Sequence, residues 1–151
     1  MAEDVAYRFN SFMKKIHMID KPSVPTGGLY RSEFFMLIVI RKHEVSLGES
    51  YEGIKPSEIA EFTGSSISAA SKQIKTVEEK GYIERRYSKD DKRVVYITLT
   101  DKGRNILAQA KKERDKKIES IIKAIGEEKM STFLDIGEEI LQFLENDKVV
   151  I

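Results

Sequence analysis

Apolar residues recur at helical spacing near the N-terminus of the chain. Five of them fall on one face of an amphipathic helix: Val5, Phe9, Phe12, Met13 and Ile16. The segment Lys21–Gly28 contains two prolines and paired glycines, which interrupt any regular periodicity. The pattern therefore predicts a first helix followed by a loop.

The run Phe34–Ile40 is apolar at every position and marks the centre of the predicted core. Ser32 is a suitable N-cap for a helix that carries this run. A buried strand is the alternative interpretation, because an apolar run of this length lacks a diagnostic period. We expect a second helix that is buried on nearly every side.

The region after residue 55 reads as two helices joined by a tight turn. Pro56 suits the first turn of a short third helix, in which we expect three side chains to point inward: Ile59, Ala60 and Phe62. The turn Thr63-Gly64-Ser65 follows, and Ser66 is a good N-cap for a fourth helix that runs to about Lys80. Gly81 then ends this helix.

Alternating residues predict a β-hairpin beyond this helix. Its strands are Tyr82–Tyr87 and Arg93–Thr100, joined by the turn Ser88–Asp91. Thr100 can cap a long fifth helix, Gly126 interrupts it, and a sixth helix follows. The predicted fold is mainly α with one small β-hairpin, and a very short strand is possible at Ile54.

Composition narrows the range of functions. The 151 residues suit a single domain, and no apolar run approaches the roughly 20 residues that span a bilayer. The start of the chain lacks the pattern of a signal peptide, and cysteine is absent. We therefore expect a cytoplasmic protein with no membrane partner, no metal site, no cofactor and no catalytic residues. An enzyme is the disfavoured alternative, because no phosphate-binding glycine loop and no activated nucleophile is evident.

The charge is unevenly distributed although the net value is only +1. Residues 80–93 hold six basic and three acidic residues, whereas residues 125–151 hold two basic and seven acidic ones. A basic middle segment favours a polyanionic partner.

The fourth helix and the hairpin together suggest which polyanion this is. A major groove about 12 Å wide accepts one helix, and the face opposite Ala70, Ile74 and Val77 carries small hydroxyl residues followed by lysines. Basic residues are concentrated in the adjacent hairpin, and arginine is attracted to narrow minor grooves. The helix alone is equally consistent with a merely solvated polar face, but the basic hairpin favours double-stranded DNA.

The ordered motifs of this region resemble the winged-helix core of the MarR family, the multiple-antibiotic-resistance type of regulator. The motifs that match at the family's spacing are Ile59-Ala60, Gly64, Ser66, Ile74, Val77-Glu78, Lys80-Gly81-Tyr82-Ile83-Glu84-Arg85, Asp91-Lys92-Arg93 (D-x-R) and Leu99-Thr100-Asp101-Lys102-Gly103 (L-T-x-x-G). They cover about a third of the chain, and the order of helices covers nearly all of it.

The resemblance implies a winged helix-turn-helix at about residues 31–104. It also implies helices at about 3–20 and 105–147 that form a homodimer, within a single domain spanning residues 1–151. The implied function is a dimeric transcriptional regulator, most simply a repressor released by a small molecule, that binds an inverted-repeat operator.

The expected DNA-binding residues lie on the fourth helix and the wing. They are Ser66, Ser68, Ala69, Lys72, Lys75, Arg85, Lys89, Lys92 and Arg93. Asp91 is expected to orient Arg93, and its alternative role is that of an ordinary turn residue. An adaptor that keeps the winged fold without binding DNA is the alternative function.

Family members often bind small aromatic or anionic effectors in a cleft near the dimer helices. The candidates for such a cleft here are Phe12, Met13, Ile16, His17, Phe35 and Arg41. The alternative is that the apolar members belong to the core and that His17 lies on the surface. Two departures from the family pattern are Ser65, where an apolar residue usually packs, and a long Leu47–Gly53 connection.

Overall fold

The computed structural model describes residues 2–19, 26–88 and 91–146, and side chains in the first helix from residue 4 to 15. Its elements are α1 (Ala2–Ile19), α2 (Arg31–Leu47), α3 (Pro56–Thr63), α4 (Ile67–Glu79), β1 (Ile83–Tyr87), β2 (Val95–Leu99), α5 (Asp101–Ile125) and α6 (Glu127–Asn146). The expected mainly α architecture with one β-hairpin is confirmed. Within those ranges no helix is long and apolar enough to cross a bilayer.

The chain divides into two compact units, Met1–Ala110 and Lys111–Ile151. The first unit holds the helix-turn-helix, the hairpin and the start of α5. The second holds the rest of α5 and all of α6, with most of their apolar side chains exposed.

The core of the first unit lies between α2, α3, α4 and the hairpin. Its fully buried side chains are Met36, Leu37, Ile40, Ile54, Ile59, Ile74, Val77, Ile83, Ile97 and Leu99. The two strands are antiparallel, with Ile83 opposite Leu99 and Arg85 opposite Ile97. Ile54 adds a single bridge to Ile97, through backbone hydrogen bonds of 3.0 and 2.8 Å. Where a very short strand was considered possible, Ile54 thus forms an isolated β-bridge.

The helix α2 confirms the helical interpretation of the apolar run, but the expected N-cap was wrong. The N-cap is Tyr30 rather than Ser32, because the Glu33 carboxylate reaches back and accepts the Tyr30 backbone N–H at 2.8 Å. Met36, Leu37, Val39 and Ile40 of the apolar run are buried, as expected, whereas Phe35 is 46% exposed.

Short-range signals place the helix-turn-helix as expected, with one exception. Pro56 occupies the first turn of α3, and Gly64 ends that helix with a φ of +63°. Phe62, expected to point inward, is 58% exposed. It lies on the outer side of α3 with its ring 6.3 Å from that of His43.

The turn between α3 and α4 is closed in spite of the polar Ser65. Its backbone N–H donates to the Ala60 carbonyl at 2.9 Å, and its hydroxyl shares a 2.8 Å hydrogen bond with Thr63. At this position the turn is therefore stabilised by hydrogen bonds of Ser65 instead of the packed apolar residue of the family pattern.

The start of α5 is tied closely to the start of the hairpin. Thr100 caps α5 by accepting the Gly103 N–H at 3.1 Å, as expected. A Cβ at Gly103 would overlap the Tyr82 carbonyl oxygen. The absence of a side chain at Gly103 thus lets helix and strand approach at this point.

Candidate nucleic-acid interface

The orientation of α4 is fixed by one buried face. Ala70, Ile74 and Val77 are buried against the first unit's core. The opposite positions are consequently turned to solvent, and Ser68, Ala69, Lys72 and Lys75 are all exposed. This arrangement is the one that the helical spacing predicts.

Ser66 caps α4 through its side chain. Its Oγ accepts the Ala69 backbone N–H at 3.2 Å and lies 3.2 Å from the Ser68 Oγ. The Ala69 N–H is therefore already satisfied within the helix cap. What the helix start presents to a ligand is two hydroxyls and a methyl group.

The bases of α4 and the hairpin differ in how freely they can reach a ligand. Arg85 donates from Nε to Glu78 at 2.9 Å, and Arg86 donates to Glu84 at 2.6 Å. Lys75 lies 3.9 Å from Glu79. Among the described residues Lys72 and Lys92 form no ion pair and are exposed. These two lysines are the most available cations of this surface.

Asp91 binds Arg93 at the wing through both the backbone and the side chain of the arginine. The Asp91 carboxylate accepts the Arg93 backbone N–H at 2.9 Å and two guanidinium N–H groups at 3.1 Å each. These hydrogen bonds lower the pKa of Asp91, the side-chain bonds contributing more than the backbone bond. The Arg93 side chain nevertheless stays 91% exposed. Lys89, also expected at this tip, lies outside the described residues.

A groove of about 500 Å³ lies beside α4 in the first unit. Two aromatic side chains, Tyr30 and Phe35, form part of its walls. The residues of α4 that line it are Ala69, Lys72, Gln73 and Thr76. Lys72 and Ala69 thus belong both to the exposed face of α4 and to this groove.

Of the four candidate effector residues whose side chains the structure describes, Phe35 alone lines this groove. Arg41 instead donates to Glu44 at 2.6 Å, and Phe12 and Met13 are exposed on α1. The side chains of Ile16 and His17 lie outside the described residues. The groove-lining residues of α4 were missed because the sequence does not show which helix faces α2.

Similarity to known proteins agrees with this geometry. The MarR family model matches residues 47–95. The HTH-type transcriptional regulator Hpr of Bacillus mycoides is 37% identical over 79 residues, which are 52% of this chain and 43% of Hpr. The chain therefore spans less than half the length of the curated relatives it matches.

Solved structures share the fold over nearly the whole chain. Streptococcus pneumoniae FabT in complex with DNA has a TM-score of 0.66 at 23% identity, covering 97% of this chain and 99% of FabT. A mutant of S. aureus MepR bound to an oligodeoxyribonucleotide has a TM-score of 0.69 at 16% identity, covering 93% and 97%. At these identities the likeness concerns the fold, whereas the match at residues 47–95 concerns the helix-turn-helix and wing themselves. The helix-turn-helix of this chain and the first part of its hairpin, at residues 47–95, therefore match the MarR family model.

Proposed function

We propose that the chain is a sequence-specific double-stranded DNA-binding transcriptional regulator. The observation that carries the proposal is the exposed face of α4, small at its start and cationic at Lys72, together with the exposed Arg93 of the wing. A helix of this kind suits a major groove, and an exposed arginine at a hairpin tip suits the minor groove beside it. Hpr is named a transcriptional regulator, and FabT was solved with DNA.

The proposed regulator acts as a homodimer. The second unit exposes a series of large apolar side chains on α5 and α6: Ile118, Ile121, Ile125, Phe133, Leu134, Ile136, Ile140, Leu141, Phe143 and Leu144. Apolar surface of this extent is unusual on a monomer and favours association. A two-fold dimer would present two α4 helices, so we expect an inverted-repeat operator.

The proposed regulator is a repressor released by a small aromatic or anionic molecule. The groove beside α4 supports this part of the proposal, because its aromatic walls suit a ring and Lys72 suits an anion. A ligand that engages Lys72 and covers Ala69 would compete with DNA for the same residues. A regulator of this kind works where chromosomal DNA is, so the cytoplasmic location expected from the sequence belongs to the same proposal.

Selection of binding sites from a random duplex pool tests the proposal. We expect enrichment of an imperfect inverted repeat, with an affinity that falls steeply as salt rises. Lys72→Ala and Arg93→Ala should each weaken binding to the selected duplex and lower the salt slope by about 1 for each phosphate that the protein no longer neutralises. Lys129→Ala, which removes a lysine from α6, is the matched control and should change neither quantity.

Two outcomes would contradict the proposal. Failure to enrich any sequence, with affinity for random duplex that does not depend on salt, would favour the winged-helix adaptor instead. Equal effects of Lys72→Ala and Lys129→Ala would show that the binding surface lies elsewhere.

A further inference from the structure

A partly buried ion pair joins the beginning of α2 to the end of α4. Lys80 Nζ lies 2.6 Å from Glu33 Oε2, and the Glu33 side chain is only 5% exposed. Lys80 Nζ also donates to the Gly28 carbonyl at 3.3 Å and lies 5.1 Å from the centre of the Tyr30 ring. The lysine is thereby held by the segment that leads into α2, about fifty residues earlier in the chain.

Lys80 occupies the junction between α4 and the wing. It is the C-cap of α4, and the next two backbone N–H groups turn back onto the helix, Gly81 to Glu78 at 2.8 Å and Tyr82 to Val77 at 3.2 Å. The Lys80 carbonyl accepts Lys102 Nζ at 2.6 Å. β1 begins at Ile83, so the position of Lys80 sets where the hairpin leaves the helix.

We propose that the Glu33–Lys80 pair is a positioning element that fixes the hairpin relative to α4. This inference rests on the proposed function, because helix and hairpin must fit two neighbouring grooves of one duplex at the same time. Neither Glu33 nor Lys80 needs to touch DNA in this role. Glu33 and Tyr30 also line the groove beside α4, so a ligand in the groove would contact the residues that hold this junction.

The direction in which one substitution changes the affinity for DNA distinguishes a positioning role from a purely electrostatic one. Glu33→Gln removes a negative charge from a DNA-binding unit, and electrostatics alone would then strengthen binding to any duplex. A positioning role gives the opposite result for the selected operator, because the junction loosens and the helix and hairpin no longer match one duplex. The glutamine can still accept the Tyr30 N–H, so the start of α2 is retained.

The experiment measures affinity for the selected operator and for random duplex in matched buffers. We expect Glu33→Gln and Lys80→Met each to lower the ratio of the two affinities about tenfold, the size of a typical coupling between contacting residues. Lys80→Arg should restore most of the ratio. Glu44→Gln is the matched control, because it breaks another ion pair of α2 that does not involve α4, and it should leave the ratio unchanged.

Amide hydrogen exchange of the unliganded protein gives an independent readout. We expect the Gly81 and Tyr82 amides to exchange faster in Glu33→Gln than in the unmodified protein, with α3 unaffected. If the unmodified protein selects no operator, the proposed function fails, and unchanged exchange at these amides would overturn the positioning role separately. An operator-to-random ratio that stays constant while both affinities rise would also overturn it.

Discussion

Asp91 binds both the backbone and the guanidinium group of Arg93, two residues further along the wing, and leaves that guanidinium in solvent. An exposed arginine normally samples many rotamers, and ordering it on binding costs about 0.5–1.5 kcal/mol. In the free protein the hydrogen bonds to Asp91 already restrict the Arg93 side chain, so less conformational entropy remains to be lost on binding. Under the proposed function, this pre-ordering lowers the entropic cost of placing the arginine in a groove of the DNA.

Asp91→Asn should weaken binding to the selected operator by about three- to tenfold, the factor that corresponds to ordering one side chain. The substitution removes a negative charge, so an electrostatic effect alone would act in the opposite direction. Fluorescence anisotropy with a labelled duplex measures the change, and Asp135→Asn on α6 is the control. Tighter binding of the Asp91→Asn protein would show that the carboxylate only repels DNA.

Two substitutions of Ser66 should separate helix stability from DNA binding. Ser66→Ala removes the hydroxyl that accepts the Ala69 N–H and should cost about 1 kcal/mol of the free energy of unfolding. Ser66→Asp keeps a cap acceptor but adds a negative charge at the proposed interface. We therefore expect Ser66→Asp to keep the melting temperature and lose operator binding. A Ser66→Asp protein that binds as well as the unmodified one would exclude this end of α4 from the interface.

Gly103→Ala should destabilise the protein by about 1–3 kcal/mol, the usual cost of overpacking. The added Cβ would overlap the Tyr82 carbonyl, which is backbone and cannot rotate away. Gly137→Ala in α6 is the matched control, because nothing lies within 4 Å of its Cβ position. This second change should stabilise its helix by up to about 1 kcal/mol. Thermal unfolding of both variants measures the contrast, and equal shifts would contradict the close approach at Gly103.

Glu44 should contribute to stability in a pH-dependent way. Burial raises its pKa, but hydrogen bonds and charges from Arg104 and Arg41 outweigh burial and hold the pKa below its ordinary value of 4.5. Because the folded-state pKa is lowered, the stabilisation is present above the unfolded value and is lost as the pH falls through the folded value.

The melting temperatures of the unmodified protein and of Glu44→Gln, followed from neutral to acidic pH, check this sign. The gap between them should be largest near neutrality and close below pH 4.5. In an Arg104→Met background the gap should be much smaller, since Arg104 Nη2 lies 2.7 Å from Glu44. A gap that widens in acid would contradict the assignment.

Local signals in the sequence determined the order of the elements in the first unit and the ends of α3 and α4. The period of Ala70, Ile74 and Val77 fixed the buried face of α4, while Ser66 and Gly81 marked its ends. The wing was equally readable, because Asp91 and Arg93 are two residues apart and their hydrogen bonds form within one turn. A cap or a turn depends on a few neighbouring residues, so a single sequence contains the information.

Contacts between distant segments were decided only by the tertiary structure. Nothing in the sequence near Lys80 indicates its partner Glu33, and nothing near Arg85 shows that Glu78 holds it. The same limit explains the error at Phe62, which the local periodicity predicted to point inward and which is 58% exposed. The helical period shows which residues share a face of a helix. Which other element covers that face depends on the packing of the whole unit, because many residues that are distant in the sequence contribute to it.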